Sequence, residues 1–115
     1  MFVLLLAAQW IAPPGKPFPA PPIGPAVSSL FTADDYPPQA RMNHWEGVVG
    51  IKLTIGTAGR VTDCKVIQSS GYQVLDDTTC KIVIKRARFK PARDSSGNAA
   101  VAEMTGPQII WRYSP

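Results

Sequence analysis

Residue types that build catalytic and metal sites are scarce in this chain. Its 115 residues include two cysteines and a single histidine, His44. These three ligands lack the paired spacing of a zinc site, and a single histidine without a nucleophile motif does not support a catalytic triad. A glycine-rich phosphate loop is also missing. We therefore expect a protein that is not an enzyme and that holds no metal and no cofactor.

A run of apolar residues long enough to cross a bilayer is missing as well. The run over residues 1–12 is interrupted by Gln9, and it falls short of the ~20 residues that a membrane-spanning helix needs. It is typical of the apolar middle of a signal peptide, although no Lys or Arg precedes it. We assign residues 1–12 to a signal-peptide-like or truncated membrane-anchor segment. The alternative is that residues 2–6 form a strand or helix that packs on the domain.

Proline is concentrated in one stretch near the N-terminus. Residues 13–25 read PPGKPFPAPPIGP, and prolines at this density fix φ and remove backbone donors. We expect an extended linker over residues 13–30, rather than a ligand for proline-recognising domains. Residues 31–115 remain for one folded domain, which is small enough for a covalent cross-link to help its stability.

The most regular pattern in the chain is the alternation of a half-buried strand. In the sequence VVGIKLTI, every second position is occupied by Val49, Ile51, Leu53 and Ile55. The turn GTAG follows, and residues 60–68 are again rich in β-branched side chains. The two runs predict an antiparallel hairpin. The pattern leaves open which face of the second strand is buried.

Two helices are predicted on either side of this hairpin. Asp34 and Asp35 precede the prolines of YPPQAR, a combination that favours a short helix. Asp76 and Asp77 open a longer helix through TTCKIVIKRA, with carboxylates at its N-terminal end and basic residues at its C-terminal end. One side of this helix is expected to pack on the sheet through Leu75, Thr79, Ile82 and Val83.

A third strand is predicted near the end of the chain. It covers residues 99–104 and 107–113, and Ile109, Trp111 and Tyr113 fall on one face of its second part. Because Pro107 cannot donate to a sheet, we expect the strand to be interrupted there or to lie at an edge. The element order predicts an α+β fold: a three-stranded antiparallel sheet with one main helix packed on one face and a short preceding helix.

Several sequence fragments follow one another in a fixed order over residues 36–111. They are YP beside the short helix, EGVVGIKLTI, a glycine turn, GRVTDCKVIQSSG, LDDTTCKIVIKRARFKPARD and a closing strand. In this order they resemble the C-terminal domain of TonB-family energy transducers, over about two thirds of the chain. The resemblance implies the TonB C-terminal fold and a protein-binding module.

The resemblance also implies a place and a partner. Such a domain lies in the periplasm of the Gram-negative cell envelope, secreted or attached to the inner membrane, and serves TonB-dependent transmembrane transport. It captures the extended N-terminal motif of an outer-membrane TonB-dependent receptor by strand addition. The edge that binds the peptide corresponds here to Gln108, Ile109, Ile110, Trp111, Arg112 and Tyr113. An equally supported interpretation is that Ile109, Trp111 and Tyr113 are core and rim residues.

Full energy transducers have two features that this sequence does not display. They carry a membrane-spanning helix that couples to an inner-membrane proton channel, and a much longer proline-rich linker. We therefore expect receptor binding rather than force transmission, and no firm contact with the proton-channel complex. An exposed strand edge would also allow a homodimer.

The two cysteines are placed for a bridge between predicted elements. Cys64 falls on the second strand and Cys80 in the helix that is expected to cover the sheet. A disulfide between them is geometrically feasible and would turn the Cys64 face inward. In an oxidising compartment, an even number of cysteines is usually structural. The alternative is two buried free thiols; without a CxxC motif we do not expect a redox pair.

Basic residues are concentrated in the second half of the chain. The formal net charge is +4, and a basic patch is formed in the sequence by Lys81, Lys85, Arg86, Arg88, Lys90 and Arg93. This patch supports an alternative function, a cell-envelope module that binds peptidoglycan or another anionic polymer without energy transduction. No nucleic acid is expected, because aromatic residues other than Phe89 are not interleaved with these charges. A solvated helix face with favourable dipole placement is the simplest interpretation.

Overall fold

The computed structural model describes residues 2–4, 9–11, 27–106 and 108–113. Its strands are β1 (Phe2–Leu4), β2 (Gln9–Ile11), β3 (Gly47–Ile55), β4 (Val61–Gln68), β5 (Ala92–Arg93), β6 (Ala99–Ala100), β7 (Ala102–Thr105) and β8 (Gln108–Trp111). Its α-helices are α1 (Pro38–Met42) and α2 (Gln73–Arg86), and 3-10 helices cover Val27–Leu30 and Ala33–Asp35. Within these described residues, no helix has the length and apolar character needed to cross a membrane.

The strands β3 and β4 form the predicted antiparallel hairpin. The amide of Gly56 donates to the carbonyl of Arg60 at 2.9 Å and closes the turn. Gly59 has a φ of +81°, and a Cβ at this position would lie 1.9 Å from the carbonyl oxygen of Phe89. Both the backbone conformation and the available space therefore require glycine at position 59.

An irregularity near the start of β4 changes which side chains face the core. Thr54 of β3 pairs with Asp63. Its neighbour Ile55 pairs with Val61, so β4 contains one extra residue at this point. The bulge places Val61 on the same face as Cys64, and Val61 is buried. Strict alternation, which groups Val61 with Asp63, is wrong at this position.

The main helix α2 covers one face of the sheet, as predicted. A single apolar cluster joins the helix residues Leu75, Ile82 and Val83 to the strand residues Val49, Ile51, Leu53 and Ile55. The helix begins at Gln73, three residues before the predicted start at Asp76. Tyr72, which precedes it, has an extended backbone.

Asp76 joins the start of α2 to the end of β4. Its carboxylate accepts hydrogen bonds from the hydroxyl of Ser69 and from the amide and hydroxyl of Ser70, the last two at 2.9 and 2.8 Å. Burial raises the pKa of this carboxyl, but the hydrogen bonds outweigh the burial and hold the pKa below its usual value. The sequence indicated that Asp76 interacts with the helix dipole. In the structure, its carboxylate also joins α2 to the residues after β4 through hydrogen bonds.

The third strand is interrupted, as predicted from Pro107. Both of its parts pair antiparallel with β3: β7 with the second half and β8 with the first half. Between them, the amide of Gly106 donates to the carbonyl of Ile51 at 3.0 Å. The interrupted strand therefore stays attached to β3. Together with β4, α2 and the short α1, it confirms the predicted α+β fold.

Two N-terminal strands extend this sheet. β1 pairs antiparallel with β8, and β2 pairs antiparallel with β7. The order across the sheet is thus β4, then β3, then β7 and β8 together, and then β1 and β2. The pairing of β1 agrees, for residues 2–4, with the alternative that the N-terminal residues pack on the domain as a strand. The export role of residues 1–12 stays a prediction. Most of the linker predicted over residues 13–30 lies outside the described residues.

Candidate functional site

The edge inferred from the sequence lies on β8, beside the first half of β3. Residues 108–111 form the strand, and residues 112 and 113 follow it. Ile109 is paired with Val49 of β3 on one side and with Val3 of β1 on the other. The outer side of β8, expected to be open, is therefore paired within the chain.

The side chains of β8 alternate between the core and the opposite face of the sheet. Ile109 and Trp111 are 0% and 1% exposed, respectively. Gln108 and Ile110, on the other face, are half-buried. The core interpretation is thus correct for Ile109 and Trp111. A peptide that adds to this edge would contact their backbone atoms and not their side chains.

Trp111 is the anchor of this strand in the core. Its indole nitrogen donates to the hydroxyl of Thr79 at 2.8 Å. Its ring meets those of Phe31 and Tyr36 edge to face, with centroids 5.7 and 5.4 Å away. The Tyr36 hydroxyl in turn donates to the carbonyl of Trp45, and burial raises the pKa of Tyr36, with a further contribution from the charge of Glu46. The position of β8 is therefore fixed by α2 and by the segment before β3.

On the opposite face of the sheet, β8 contacts β4 across β3. The side-chain amide of Gln108 donates to the side-chain oxygen of Gln68 at 2.7 Å. This bond passes over Gly50, where an added Cβ would lie 3.0 Å from the Cβ of Gln68. Glycine at position 50 therefore leaves room for a polar bridge across three strands.

Aromatic and charged groups surround the end of β8. The ring of Tyr113 stacks on His44 at 4.0 Å, and its amide donates to the carboxylate of Glu46 at 2.9 Å. A cleft of about 250 Å³ opens beside these residues and is lined by Glu46, Gly47, Val48, Ile110, Trp111 and Arg112. The sequence did not indicate Glu46 for this site, and it raised His44 only as a metal ligand or catalytic residue, because only the fold brings the start of β3 next to residue 113.

The outer edge continues beyond β8 onto β7, which the sequence analysis did not assign to the site. Ala102 and Met104 of β7 are buried, whereas Glu103 lies on the exposed face with its carboxylate 3.1 Å from the ammonium of Lys52. β7 therefore has the same organisation as β8, with a buried row of side chains and an outward backbone. The run of residues 99–104 before Pro107 was the available signal.

Three of the six residues of the basic patch, Arg86, Arg88 and Arg93, make hydrogen bonds within the chain. Arg88 donates to the carbonyl oxygens of Lys85 and Ala87, and Arg93 donates to that of Gly97. The three lysines of the patch, Lys81, Lys85 and Lys90, are exposed. Part of the charge in this region is thus engaged with carbonyl groups of the same chain.

Arg86, the remaining member of the patch, is part of an ion pair. Its guanidinium donates to both carboxylate oxygens of Asp35 at 2.7 and 2.9 Å and to the carbonyl of Leu30 at 2.9 Å. The hydrogen bond from Arg86 lowers the pKa of Asp35 to about 2, and the same bond raises the pKa of Arg86. The contact holds the 3-10 helix Ala33–Asp35 against the end of α2.

The disulfide is confirmed. Cys64 of β4 and Cys80 of α2 are bonded, with their Cα atoms 5.6 Å apart. Cys64 pairs with the buried Leu53 of β3, so it lies on the helix side of the sheet, as the bridge requires. Among the described residues, no three His, Cys, Asp or Glu side chains come together in a group that could hold a metal ion.

The chain was compared with known protein families. The family model described as the Gram-negative bacterial TonB protein C-terminal matches residues 32–113. The matched range contains β3, β4, α2, β7 and β8, and it excludes β1 and β2. No curated protein and no solved structure matches the chain.

Proposed function

This chain belongs to the TonB C-terminal domain family, a class of non-enzymatic protein-binding modules, and from that premise we propose that it binds the extended N-terminal motif of an outer-membrane TonB-dependent receptor. Binding occurs in the periplasm, by addition of the receptor peptide as a strand to the outer edge of β8 and β7. The domain thereby contributes to TonB-dependent transport across the outer membrane.

The observation that carries the proposal is that this edge pairs with an extended segment. Three residues of β1 pair with β8, and three residues of β2 pair with β7, both antiparallel. The buried rows of β7 and β8 fix the edge from behind, so its backbone groups are held in line for a peptide. Main-chain hydrogen bonds would provide most of the affinity.

The other edge of the sheet is a poorer template for a peptide. Among the described strands, β4 pairs with β3 alone. Its register with β3 shifts at two places, between Gly50 and Ile51 and between Thr54 and Ile55. Such bulges, together with the exposed Lys65, are features that protect an edge from pairing. Strand addition is therefore assigned to β7 and β8.

Selectivity arises from the side chains that border the edge. Gln108 and Ile110 lie on the face of β8 opposite the core, and Glu46 and Arg112 are among the residues that line a cleft at the end of this strand. The apolar side chain of Ile110 favours a β-branched or aromatic residue at the facing position.

The proposal is tested with backbone-methylated peptides. A synthetic peptide of a receptor N-terminal motif is N-methylated at one position at a time, and its affinity for the full, oxidised chain is measured by fluorescence anisotropy. Because alternate residues of an added strand donate to the edge, we expect methylation to reduce affinity at every second position and to be tolerated at the others. A scrambled peptide is the control. Equal tolerance at every position would contradict strand addition.

A further inference from the structure

The edge proposed for the receptor peptide is already occupied by the chain itself. Phe2, Val3 and Leu4 pair with Ile110, Ile109 and Gln108. Gln9, Trp10 and Ile11 pair with Thr105, Met104 and Glu103. The paired positions thus extend along both parts of the interrupted strand. These N-terminal strands lie outside the family match at residues 32–113.

We propose that, in a chain that retains residues 1–12, β1 and β2 form an internal competitor, which covers the binding edge until a peptide displaces it. This inference rests on the proposed function, since it concerns the same edge. β7 and β8 form hydrogen bonds with β3 on one side, which leaves one side of each strand for another partner. The outward amides and carbonyls on that side bind either the N-terminal strands or a receptor peptide. The two partners are mutually exclusive.

The competitor is built to be displaced. Each N-terminal strand is three residues long, and each lies at the end of the sheet order, with a single strand as its neighbour. Strands this short are marginal when they stand alone. A receptor peptide that pairs with both β8 and β7 forms the same hydrogen bonds and can replace them.

The register also describes the peptide that fits. Leu4 pairs with Gln108 and Gln9 pairs with Thr105. In sequence, four residues (5–8) separate β1 from β2, whereas two residues (106 and 107) separate β7 from β8. The matching partner is an extended peptide of two three-residue stretches, antiparallel to the last strand, with a short spacer that passes the break at Gly106.

Proline substitutions in the full chain test this competition. The variant Val3→Pro, Leu4→Pro, Trp10→Pro, Ile11→Pro replaces two adjacent residues in each strand, so that a donor to the edge is lost whichever residue points towards it. The matched control, Ala20→Pro, Gly24→Pro, adds prolines to the proline-rich run and leaves β1 and β2 unchanged. Neither variant alters β3, β4, α2, β7 or β8.

The first readout needs no ligand. Amide hydrogen exchange is measured for residues 103–105 and 108–110 in the native chain and both variants. We expect the outward amides of these residues to exchange at least about tenfold faster in the strand variant than in the native chain and the control. Unchanged exchange in the strand variant would overturn the inference, since the edge would then not be covered by β1 and β2.

The second readout is the affinity for a synthetic receptor N-terminal peptide. If the edge of the native chain is free about a tenth of the time, its apparent affinity is about tenfold weaker than that of the strand variant. Tighter binding by the strand variant alone supports competition, and equal, measurable binding by all three chains overturns it while the proposed function stands. Binding by none of the chains overturns the proposed function, and the exchange readout then decides whether the N-terminal strands cover the edge.

Discussion

The indole nitrogen of Trp111 lies 2.8 Å from the hydroxyl oxygen of Thr79, and this hydrogen bond joins the edge strand β8 to the helix α2. The Thr79 hydroxyl donates in turn to the carbonyl of Leu75 at 2.8 Å. Trp111 and Thr79 are both buried. The strand that offers its backbone to a partner is therefore held in place by polar contacts on its inner side.

Replacing Thr79 by valine tests this anchor. Thr79→Val preserves the shape of the side chain but leaves the buried indole N–H of Trp111 without its acceptor, a loss of about 1–3 kcal/mol in the free energy of unfolding. Urea denaturation measures it. In the matched control, Thr78→Val, the hydroxyl removed donates to the carbonyl of Val74 within the same helix, and we expect a change of about 0.5 kcal/mol or less. Equal effects would contradict the assignment.

The disulfide is expected to supply a large part of the stability of so small a domain. Cys64 and Cys80 are separated by 16 positions, and closing a loop of this size stabilises a fold by about 3 kcal/mol. Reduction should lower the denaturation midpoint by a corresponding amount. The double variant Cys64→Ser, Cys80→Ser should match the reduced protein and show no response to reductant. A midpoint that is the same in oxidised and reduced protein would contradict the prediction.

The ion pair between Asp35 and Arg86 predicts a pH dependence of stability. The pKa of Asp35 is about 2 in the folded chain, against an ordinary value of 3.8. A depressed carboxyl pKa adds stability above the unfolded value, and this contribution is lost as the pH falls from about 4 through 2. Asp35→Asn should reduce the slope of the unfolding free energy in this window, and Asp76, whose pKa is also lowered, should maintain a residual slope.

The control for the prediction on Asp35 is its exposed neighbour, Asp34. Asp34→Asn removes one carboxylate without touching the contact with Arg86, so it separates the loss of the pair from the loss of a charge. Thermal unfolding at intervals between pH 2 and 5 provides the measurement. A slope that is equally changed by Asp34→Asn and Asp35→Asn would show that the pair is not its source.

The basic patch is predicted to be dispensable for peptide binding. Lys81 and Lys85 are exposed on α2, and neither residue belongs to the strands that form the edge. The variant Lys81→Gln, Lys85→Gln should bind a receptor peptide within about twofold of the native affinity, because charges outside the contact contribute little to it. A tenfold loss, accompanied by a steep salt dependence of the native affinity, would favour the anionic-polymer alternative.

Much of the fold follows from local patterns in the sequence. The alternation around Ile51 and Leu53 predicted β3, the glycine turn predicted the hairpin, and Pro107 predicted the interruption of the last strand. The disulfide between Cys64 and Cys80 was predicted because each cysteine could be assigned to a strand or a helix. These features depend on neighbouring residues, whose backbone preferences act over a few positions.

Other features depend on contacts between distant parts of the chain. The bulge in β4 puts Val61 in the core although strict alternation groups it with Asp63, because the register with β3 sets the face. α2 begins at Gln73, and the Asp76 carboxylate accepts hydrogen bonds from Ser69 and Ser70, which follow β4. The pairing of Val3 with Ile109 joins opposite ends of the chain, and no local pattern specifies such a partner.

The most direct test of strand addition at β8 and β7 is a backbone-amide NMR titration of the full, oxidised chain with a synthetic receptor N-terminal peptide. The account predicts that the largest shifts fall on residues 103–105 and 108–111, together with cross-strand contacts between peptide and β8 protons. Residues 61–68 of β4, the other edge of the same sheet, are the internal control and should change little. Shifts centred on β4 or on residues 81–93, with none on β7 and β8, would contradict it.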